Sequence, residues 1–227
     1  MINIELLEMS GIGSAIKGMR NPMNSWDKCD SYYVWPDDEE FHIGPNDRDL
    51  MMKLRNAGTD HRKFMRMIVV YANITAPLYW WKEFDTYKVG TVANSCSTMH
   101  KLTEKEFTLD DFSHEHLQIC GYDNPMDAPF INEMRFGSDD IMDIMVHALN
   151  YYRMRYLKTN DKSYWWQMIQ LLPSSYNQKR TIMLNYEVLA NMYESRKSHK
   201  LDEWRDFCKW TETLPYSELI TGGNKNE

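Results

Sequence analysis

The clearest pattern of apolar and polar positions lies in the second half of the chain. Between 138 and 158, apolar side chains recur at the spacing of an α-helix, at Ile141, Ile144, Met145, Ala148, Leu149 and Tyr152. Ser138 and two aspartates open this run, and acidic residues stabilise the first turn of a helix. Similar patterns predict three further helices, over 161–172, 186–196 and 199–214.

Shorter elements are predicted in the first half of the chain. A helix is expected to begin at 46–47 and to end at Gly58. Residues 63–74 are rich in β-branched and large side chains and alternate in part, which predicts a strand. Thr75 is then expected to cap a helix that carries a proline in its first turn and continues through Phe84.

The remaining elements complete an α+β pattern, with a small central sheet packed with several helices. Residues 87–97 are predicted to form turns around Gly90, and 179–184 a strand. The sequence TLDD at 108–111 has the spacing of a capping box. Because no repeat or flexible linker is present, 1–227 is predicted to be a single domain.

Composition narrows the classes of function. The chain has 227 residues and a net charge of −7, with no long basic run, which argues against general nucleic-acid binding. Its four cysteines are scattered, which is typical of reduced thiols and of a cytoplasmic protein. The first residues do not resemble a signal peptide, and no apolar run is long enough to predict a membrane span.

A dense polar segment is the first candidate for a site. Asn94, Ser95, Ser97 and Thr98 bring small donors and acceptors together just after the aromatic run of Tyr79, Trp80 and Trp81. Such groups in a turn suit a phosphate or the edge of a planar base. They equally suit a polar surface loop, and the tryptophans are by themselves typical of a core.

Other clusters give weaker signals. The residues Cys96, His100, His114, His116 and Cys120 match no standard ligand spacing, so a metal site is not expected. Residues 20–26 could clamp a ligand or form an ordered turn. Arg180 and Arg196 could bind an anion or be solvated. GIGSAIKG at 11–18 superficially suggests a phosphate loop, but no adequate strand is predicted before it.

Taken in order, these features resemble the flavin-dependent thymidylate synthases. In that family an Arg-His-Arg motif, seven residues and a serine close a helix that follows a strand, often with an asparagine three before the serine. Asn94 and Ser97 have that spacing here. KRTIMLNYEVLANMYESRKSHKLDEW is similar to the family's C-terminal order, with Arg180 and Arg196 as its arginines, and His61 matches a family histidine. The resemblance covers about 60–102 and 180–213.

The chain departs from the family at the Arg-His-Arg motif. Counting back from Ser97 places Tyr87, Lys88 and Val89 there. An insertion would instead place Asp85, Thr86 and Lys88 there, so in either register Lys88 is the sole cation. Because the family uses this triplet around its flavin, flavin binding is the property that this departure most affects.

The resemblance implies a specific activity and site. The implied reaction is one-carbon transfer to C5 of a pyrimidine deoxynucleotide, dUMP to dTMP, with FAD, NADPH and 5,10-methylenetetrahydrofolate, in a homotetramer. The implied residues are Ser97 and Arg196 as catalytic, His61, Lys88 and Asn94 for cofactor, and Ser95, Ser97, Arg180 and Arg196 for substrate. A nucleotide-binding or regulatory protein without methylation activity and an unrelated interaction protein are the alternatives.

Overall fold

The computed structural model describes residues 2–33, 41–99, 101–118, 130–131 and 134–223. The chain divides into two compact units, each built from separate stretches of sequence. The first unit contains Thr75–Glu83 and Ser95–Lys179. The second unit contains Ile2–Ile74, Phe84–Asn94 and Arg180–Glu227.

The predicted α+β class is confirmed. In the described residues the helices are α1 (Ile12–Arg20), α2 (Pro45–Asn56), α3 (Leu78–Phe84), α4 (Ser138–Thr159), α5 (Lys162–Leu171), α6 (Tyr186–Arg196), α7 (Asp202–Glu212) and α8 (Glu218–Thr221). The strands are β1 (Asn3–Ser10), β2 (Tyr32–Tyr33), β3 (Phe41–His42), β4 (Val69–Pro77), β5 (Val92–Ser95), β6 (Phe130–Ile131), β7 (Met134–Arg135) and β8 (Asn177–Asn185). None of these helices is long and apolar enough to cross a membrane.

The main sheet has four strands in the order β1-β4-β8-β5, so β4 and β8 are central. In the second unit, one face of β4 is fully buried at Val70, Ala72 and Ile74, as alternation in a half-buried strand requires. The opposite face is polar and cross-linked. Asn73 donates to Glu5 at 3.0 Å and accepts a hydrogen bond from Thr181 at 2.7 Å, which ties β1, β4 and β8 together.

The structure corrects the predicted strand over 63–74. Residues Arg62–Met67 form a 3-10 helix, and β4 begins only at Val69. Phe64, Met65 and Ile68 are all buried, which is helical spacing, and the alternation starts after them. The strand prediction is confirmed from Val69 onwards and wrong for 63–68, because two apolar patterns of different period are adjacent there.

Three further boundaries differ from the predictions. Thr75 lies within β4 and caps no helix, because the strand continues through Pro77 and α3 begins at Leu78. Strand β1 does precede the glycine-rich segment 11–18. Strand β5 occupies part of the predicted turn region. All four of its residues are exposed, so the sequence has no apolar alternation from which this edge strand could be predicted.

The core of the first unit lies between α4, α5 and the segment before them. Its buried residues are Leu102, Phe107, Phe112, Leu149 and Met168. Asn150 on α4 bonds both the N–H and the C=O of Phe107, each at 2.8 Å, which fixes that segment to the helix. The capping box predicted at 108–111 is confirmed. Ile141 and Ile144, predicted from the apolar pattern of α4, lie outside this core and are exposed.

A buried ion pair organises the N-terminal part of the second unit. Arg20 Nε donates to Asp47 Oδ1 at 2.6 Å, and the two side chains are 4% and 0% exposed. The other carboxylate oxygen accepts hydrogen bonds from the Ser31 hydroxyl at 2.6 Å and from the Asp30 N–H at 3.1 Å. Residues 20–31 are therefore an ordered turn that wraps one carboxylate.

Further hydrogen bonds hold the start of α2 next to this pair. The cap of this helix lies before the predicted position, 46–47. Gly44 is the N-cap, and the Asp30 carboxylate accepts the N–H groups of Asn46 at 2.8 Å and Asp47 at 3.0 Å. Burial alone would raise the pKa of Asp47. The hydrogen bonds from Ser31, Arg20 and others outweigh that effect and lower this pKa to about 2.

We expect Asp47→Asn to lower the free energy of unfolding by about 3–5 kcal/mol, because it leaves the buried Arg20 charge without a counterion. The double variant Arg20→Met/Asp47→Leu should cost less than this single change, since both charges are then removed. Urea unfolding of the three proteins measures the difference. A single variant as stable as the wild type would contradict the assigned role of the pair.

The same carboxylate should make stability depend on pH. Its folded pKa lies below its usual value of 3.8, so its contribution is present above pH 4 and is lost as the pH falls towards 2. We expect the difference in unfolding free energy between the wild type and Asp47→Asn to shrink over that interval. A difference that stays constant from pH 5 to the acid limit would count against it.

Candidate functional site

The residues assigned by the resemblance fall in both units. Ser95 and Ser97 belong to the first unit, whereas His61, Lys88, Asn94, Arg180 and Arg196 belong to the second.

In the first unit, the chain after β5 is held as a fixed turn. The N–H of Cys96 donates to the Lys179 carbonyl at 2.9 Å, and the Gln178 amide donates to the Cys96 carbonyl at 2.8 Å. Ser97 Oγ accepts the N–H of Met99 at 3.2 Å. These bonds give Ser97 a defined position, although Ser95 on β5 is exposed.

The buried tryptophans of α3 support this turn from behind. Trp80 and Trp81 are both fully buried, so the core interpretation of these side chains is correct. The indole N–H of Trp81 donates to the carbonyl of Gln178 at 2.9 Å, and the Gln178 side chain in turn holds Cys96. In the first unit, the buried aromatic residues of α3 therefore lie behind the polar turn and hold it through Gln178.

A polar cavity of about 260 Å³ opens beside the turn, which we call the turn cavity. It is lined by Thr75, Cys96, Ser97, Thr98, Lys101, Lys105, Asp110, Asp111, Tyr176, Asn177, Gln178 and Lys179. Three lysines and two aspartates give it a positive balance in a protein of net charge −7. Two of the lysines have carboxylate partners, Lys101 with Glu104 and Lys105 with Asp111.

The turn cavity also supplies neutral donors. Burial raises the pKa of the Tyr176 hydroxyl, and the nearby Asp111 carboxylate adds to the effect, so the group stays protonated at neutral pH. Hydroxyls of Ser97 and Thr98 line the same wall. Hydroxyl donors together with lysine ammonium groups are the chemistry that binds a phosphate.

In the second unit, Arg196 is the last residue of α6 and is held between aromatic rings. Its guanidinium carbon lies 4.6 Å from the ring centroid of Trp204 and 5.6 Å from that of Tyr87. Its Nε donates to the Tyr87 hydroxyl at 2.9 Å. The side chain is half-buried, so a freely solvated arginine at a helix end is not what the structure shows.

Arg180 is held differently. It lies on β8, and its Nη1 contacts Asp85 Oδ1 at 2.8 Å, with the two side chains 15% and 50% exposed. The resemblance implied only a substrate role for this arginine. The ion pair shows that the local charge of Arg180 is already partly balanced by a carboxylate of the second unit.

The three residues assigned to the cofactor are exposed. His61 directly precedes the 3-10 helix, Lys88 lies in the loop after α3, and Asn94 lies on β5. Next to Lys88, the Tyr87 hydroxyl is engaged by Arg196, and Val89 is 90% exposed. Residues 87–89 therefore do not provide the three cationic side chains that the resembled family uses around its flavin.

The sequence did not indicate several residues of these sites. Lys101 and Lys105 lie in a run of mixed charge that is typical of solvated surface, and Lys179 is distant from them in sequence. Gln178 carries no motif. The pairing of β8 with the segment after β5 brings Gln178 and Lys179 to Ser97. Among the described residues no group of side chains could hold a metal ion; His100 and Cys120 lie outside those residues.

Comparison with solved structures shows which fold this is. The chain resembles the thymidylate synthase ThyX of Helicobacter pylori, solved with FAD and dUMP, with a TM-score of 0.65, 17% identity and 96% coverage of both chains. A second structure of that enzyme with FAD and dUMP gives a TM-score of 0.64 at 18% identity, again with 96% of each chain covered.

A third similar structure is the UMP/dUMP methylase PolB of Streptomyces cacaoi, bound to 5-Br dUMP. Its TM-score is 0.56 at 16% identity, over 94% of this chain and 89% of that one. No family model and no curated protein matches the sequence. The chain therefore has the fold of the flavin-dependent thymidylate synthases, and the resemblance predicted from its residues is confirmed at the level of the fold.

We expect Tyr87→Phe to lower the free energy of unfolding by about 1.5 kcal/mol, because it removes a hydrogen bond donated by a charged group. Tyr32→Phe, which changes an exposed tyrosine of the same unit, is the matched control and should be neutral. Urea unfolding compares the two. Equal stability of both variants and the wild type would show that the bond to Arg196 contributes nothing.

Proposed function

We propose that this protein binds a pyrimidine deoxynucleotide, with dUMP as its substrate, and transfers a one-carbon unit to C5 of the base to give dTMP. The observation that carries the proposal is the turn cavity, where Ser97, Thr98 and three lysines line one small polar space. The fold adds support, because the similar proteins include enzymes solved with dUMP or 5-Br dUMP.

The turn cavity is the proposed place of the nucleotide phosphate in the first unit. A nucleoside monophosphate carries nearly two negative charges at neutral pH, and this protein is itself acidic. Local cations must therefore offset the overall repulsion. Lys101, Lys105 and Lys179 do so next to the neutral donors Ser97 and Thr98, and Ser95 on the adjoining strand is the further substrate residue that the resemblance implies.

In the second unit, Arg196 and Arg180 are the proposed substrate residues. Trp204 and Tyr87 fix the plane of the Arg196 guanidinium before any ligand arrives, which lowers the entropy lost on binding an anion. The resemblance further implies a homotetramer whose active sites use residues of neighbouring subunits. We include that assembly in the proposal.

The residues of the protein would orient and polarise the base. A uracil C5 is a poor nucleophile until charge develops on the ring, and fixed donors that stabilise this charge lower the barrier. Holding the nucleotide by its phosphate also positions C5 for transfer. FAD, NADPH and 5,10-methylenetetrahydrofolate are the implied cofactors, with His61, Lys88 and Asn94 as the implied contacts. Because 87–89 lacks the cationic triplet, we assign no step to the flavin.

A second candidate is a nucleotide-binding or regulatory protein of the same fold that does not methylate. The engagement of Tyr87 by Arg196 and the exposure of Val89 favour it, since these residues take the place of the missing triplet when counted back from Ser97. The absorbance spectrum of the purified protein, together with formation of dTMP from dUMP, methylenetetrahydrofolate and NADPH with added FAD, separates the two. Nucleotide binding without flavin or product would establish the second.

We expect Arg196→Ala to weaken dUMP binding about ten- to a hundred-fold, because charge-assisted hydrogen bonds contribute about 1.5–3 kcal/mol. Ser97→Ala should weaken it a few-fold, since a neutral hydroxyl contributes about 1 kcal/mol. Arg48→Ala, which removes an exposed arginine of the second unit, is the control. Titration calorimetry measures all four proteins.

Two outcomes of this titration have distinct meanings. No heat from the wild type with dUMP, dTMP or dCMP would show that the protein has no nucleotide site. If the wild type binds a nucleotide and Arg196→Ala binds it equally well, Arg196 is not part of the site, whereas the proposal of a nucleotide site stands.

We expect Cys96→Ala to keep nucleotide binding and any methylation activity. Cys96 lines the turn cavity, but the hydrogen bonds that place it there come from its backbone N–H and carbonyl, which alanine also has. The measurement is dUMP titration followed by a dTMP assay. Complete loss of activity in a folded variant would point instead to a cysteine nucleophile.

A further inference from the structure

Helix α4 carries apolar side chains on two opposite sides. One side, with Leu149 at its centre, packs into the core of the first unit; the partly buried residues there are Met142, Met145, Val146, Tyr152 and Tyr156. On the other side, Ile144, Tyr151 and Met154 are 56%, 52% and 43% exposed. A surface helix with a single buried stripe needs no apolar residues on its outer side.

The outer residues follow a regular spacing. The outer stripe of α4 consists of Asp140, Ile144, His147, Tyr151, Met154 and Lys158, and all six are exposed. Their separations alternate between four and three residues, which is the spacing of the contact positions in a coiled coil. The helix has 22 residues, so the stripe extends along most of a length of about 33 Å.

The outer stripe is also complementary to itself when reversed. Its residues lie in pairs at equal distances on either side of position 149. The pairs are Asp140 with Lys158, Ile144 with Met154, and His147 with Tyr151. The exposed residues Ile141 and Leu157 flank the stripe, one on either side of it. Two copies of α4 placed antiparallel would therefore match acid with base at both ends and apolar with apolar between them.

We propose that the outer stripe of α4 is the interface between two copies of this chain, related by a twofold axis that passes beside position 149. A twofold interface uses the same surface on both subunits, so the surface must be complementary to itself, and the outer stripe meets this condition. Burial of Ile144, Tyr151 and Met154 drives the association, and the two Asp140–Lys158 pairs select the antiparallel orientation.

This inference does not depend on the nucleotide. It names the surface and the orientation for one of the contacts in the homo-oligomer, and its test reads molecular mass. Nucleotide binding could fail while the dimer remains, or the reverse.

The first experiment measures mass by light scattering and sedimentation. The wild type is expected at a multiple of the 27.1 kDa chain. Ile144→Glu should halve that mass and weaken association at least about a hundred-fold, since two copies of the charge enter the interface. Met23→Glu, which changes a methionine of the second unit that is 82% exposed, should leave the mass unchanged.

The second experiment uses the charged ends. Asp140→Lys alone and Lys158→Asp alone each place like charges against each other at both ends, so each should dissociate. An equimolar mixture of the two variants restores both opposite-charge pairs and should associate as a heterodimer. Circular dichroism confirms that α4 remains folded, because the Asp140 carboxylate also accepts the Gly137 N–H at 2.7 Å.

A wild type that is monomeric at all concentrations overturns the proposal. So does an unchanged mass for Ile144→Glu. A mixture of the two charge variants that stays dissociated overturns the antiparallel orientation, and with it the interface as proposed.

Discussion

The hydrogen bonds of strand β8 are the interactions on which both candidate sites depend. At its start, Gln178 accepts the Trp81 indole N–H and holds Cys96, and the Lys179 carbonyl accepts the Cys96 N–H. At its end, the Asn185 side chain accepts the Val188 N–H at 3.0 Å and caps α6. One strand therefore fixes the turn cavity in the first unit and the helix that carries Arg196 in the second.

The protein has a net negative charge, but several of its cationic side chains lie in defined local positions. Arg20 and Arg180 are paired with Asp47 and Asp85. Two of the three lysines of the turn cavity are paired as well, Lys101 with Glu104 and Lys105 with Asp111, but they also line an open polar space. Exposed ion pairs contribute little to stability. The phosphate proposed for this cavity would be held by its lysines and hydroxyl donors.

The departures from the resembled family are physically connected. Counted back from Ser97, Tyr87 stands where that family has a charged residue. Its hydroxyl accepts a hydrogen bond from Arg196, and its ring faces the same guanidinium. Substituting a cation there would place two positive charges side by side. In that register, the absence of a cation at position 87 and the fixed orientation of Arg196 belong to one local arrangement.

The sequence by itself determined the helices α4 to α7, the strand β8 and the fold that they resemble, because long amphipathic patterns and clear caps depend on neighbouring residues. It predicted a nucleotide turn at Asn94–Ser97, but not strand β5, whose residues are all exposed and carry no alternation. It merged the 3-10 helix of 62–67 with β4, because both bury large side chains. Only the tertiary structure brought Lys179 to Ser97, paired Arg20 with Asp47 and showed that Ile144 faces away from the core. These contacts join residues far apart in sequence, and no local pattern encodes which distant side chain a residue will meet.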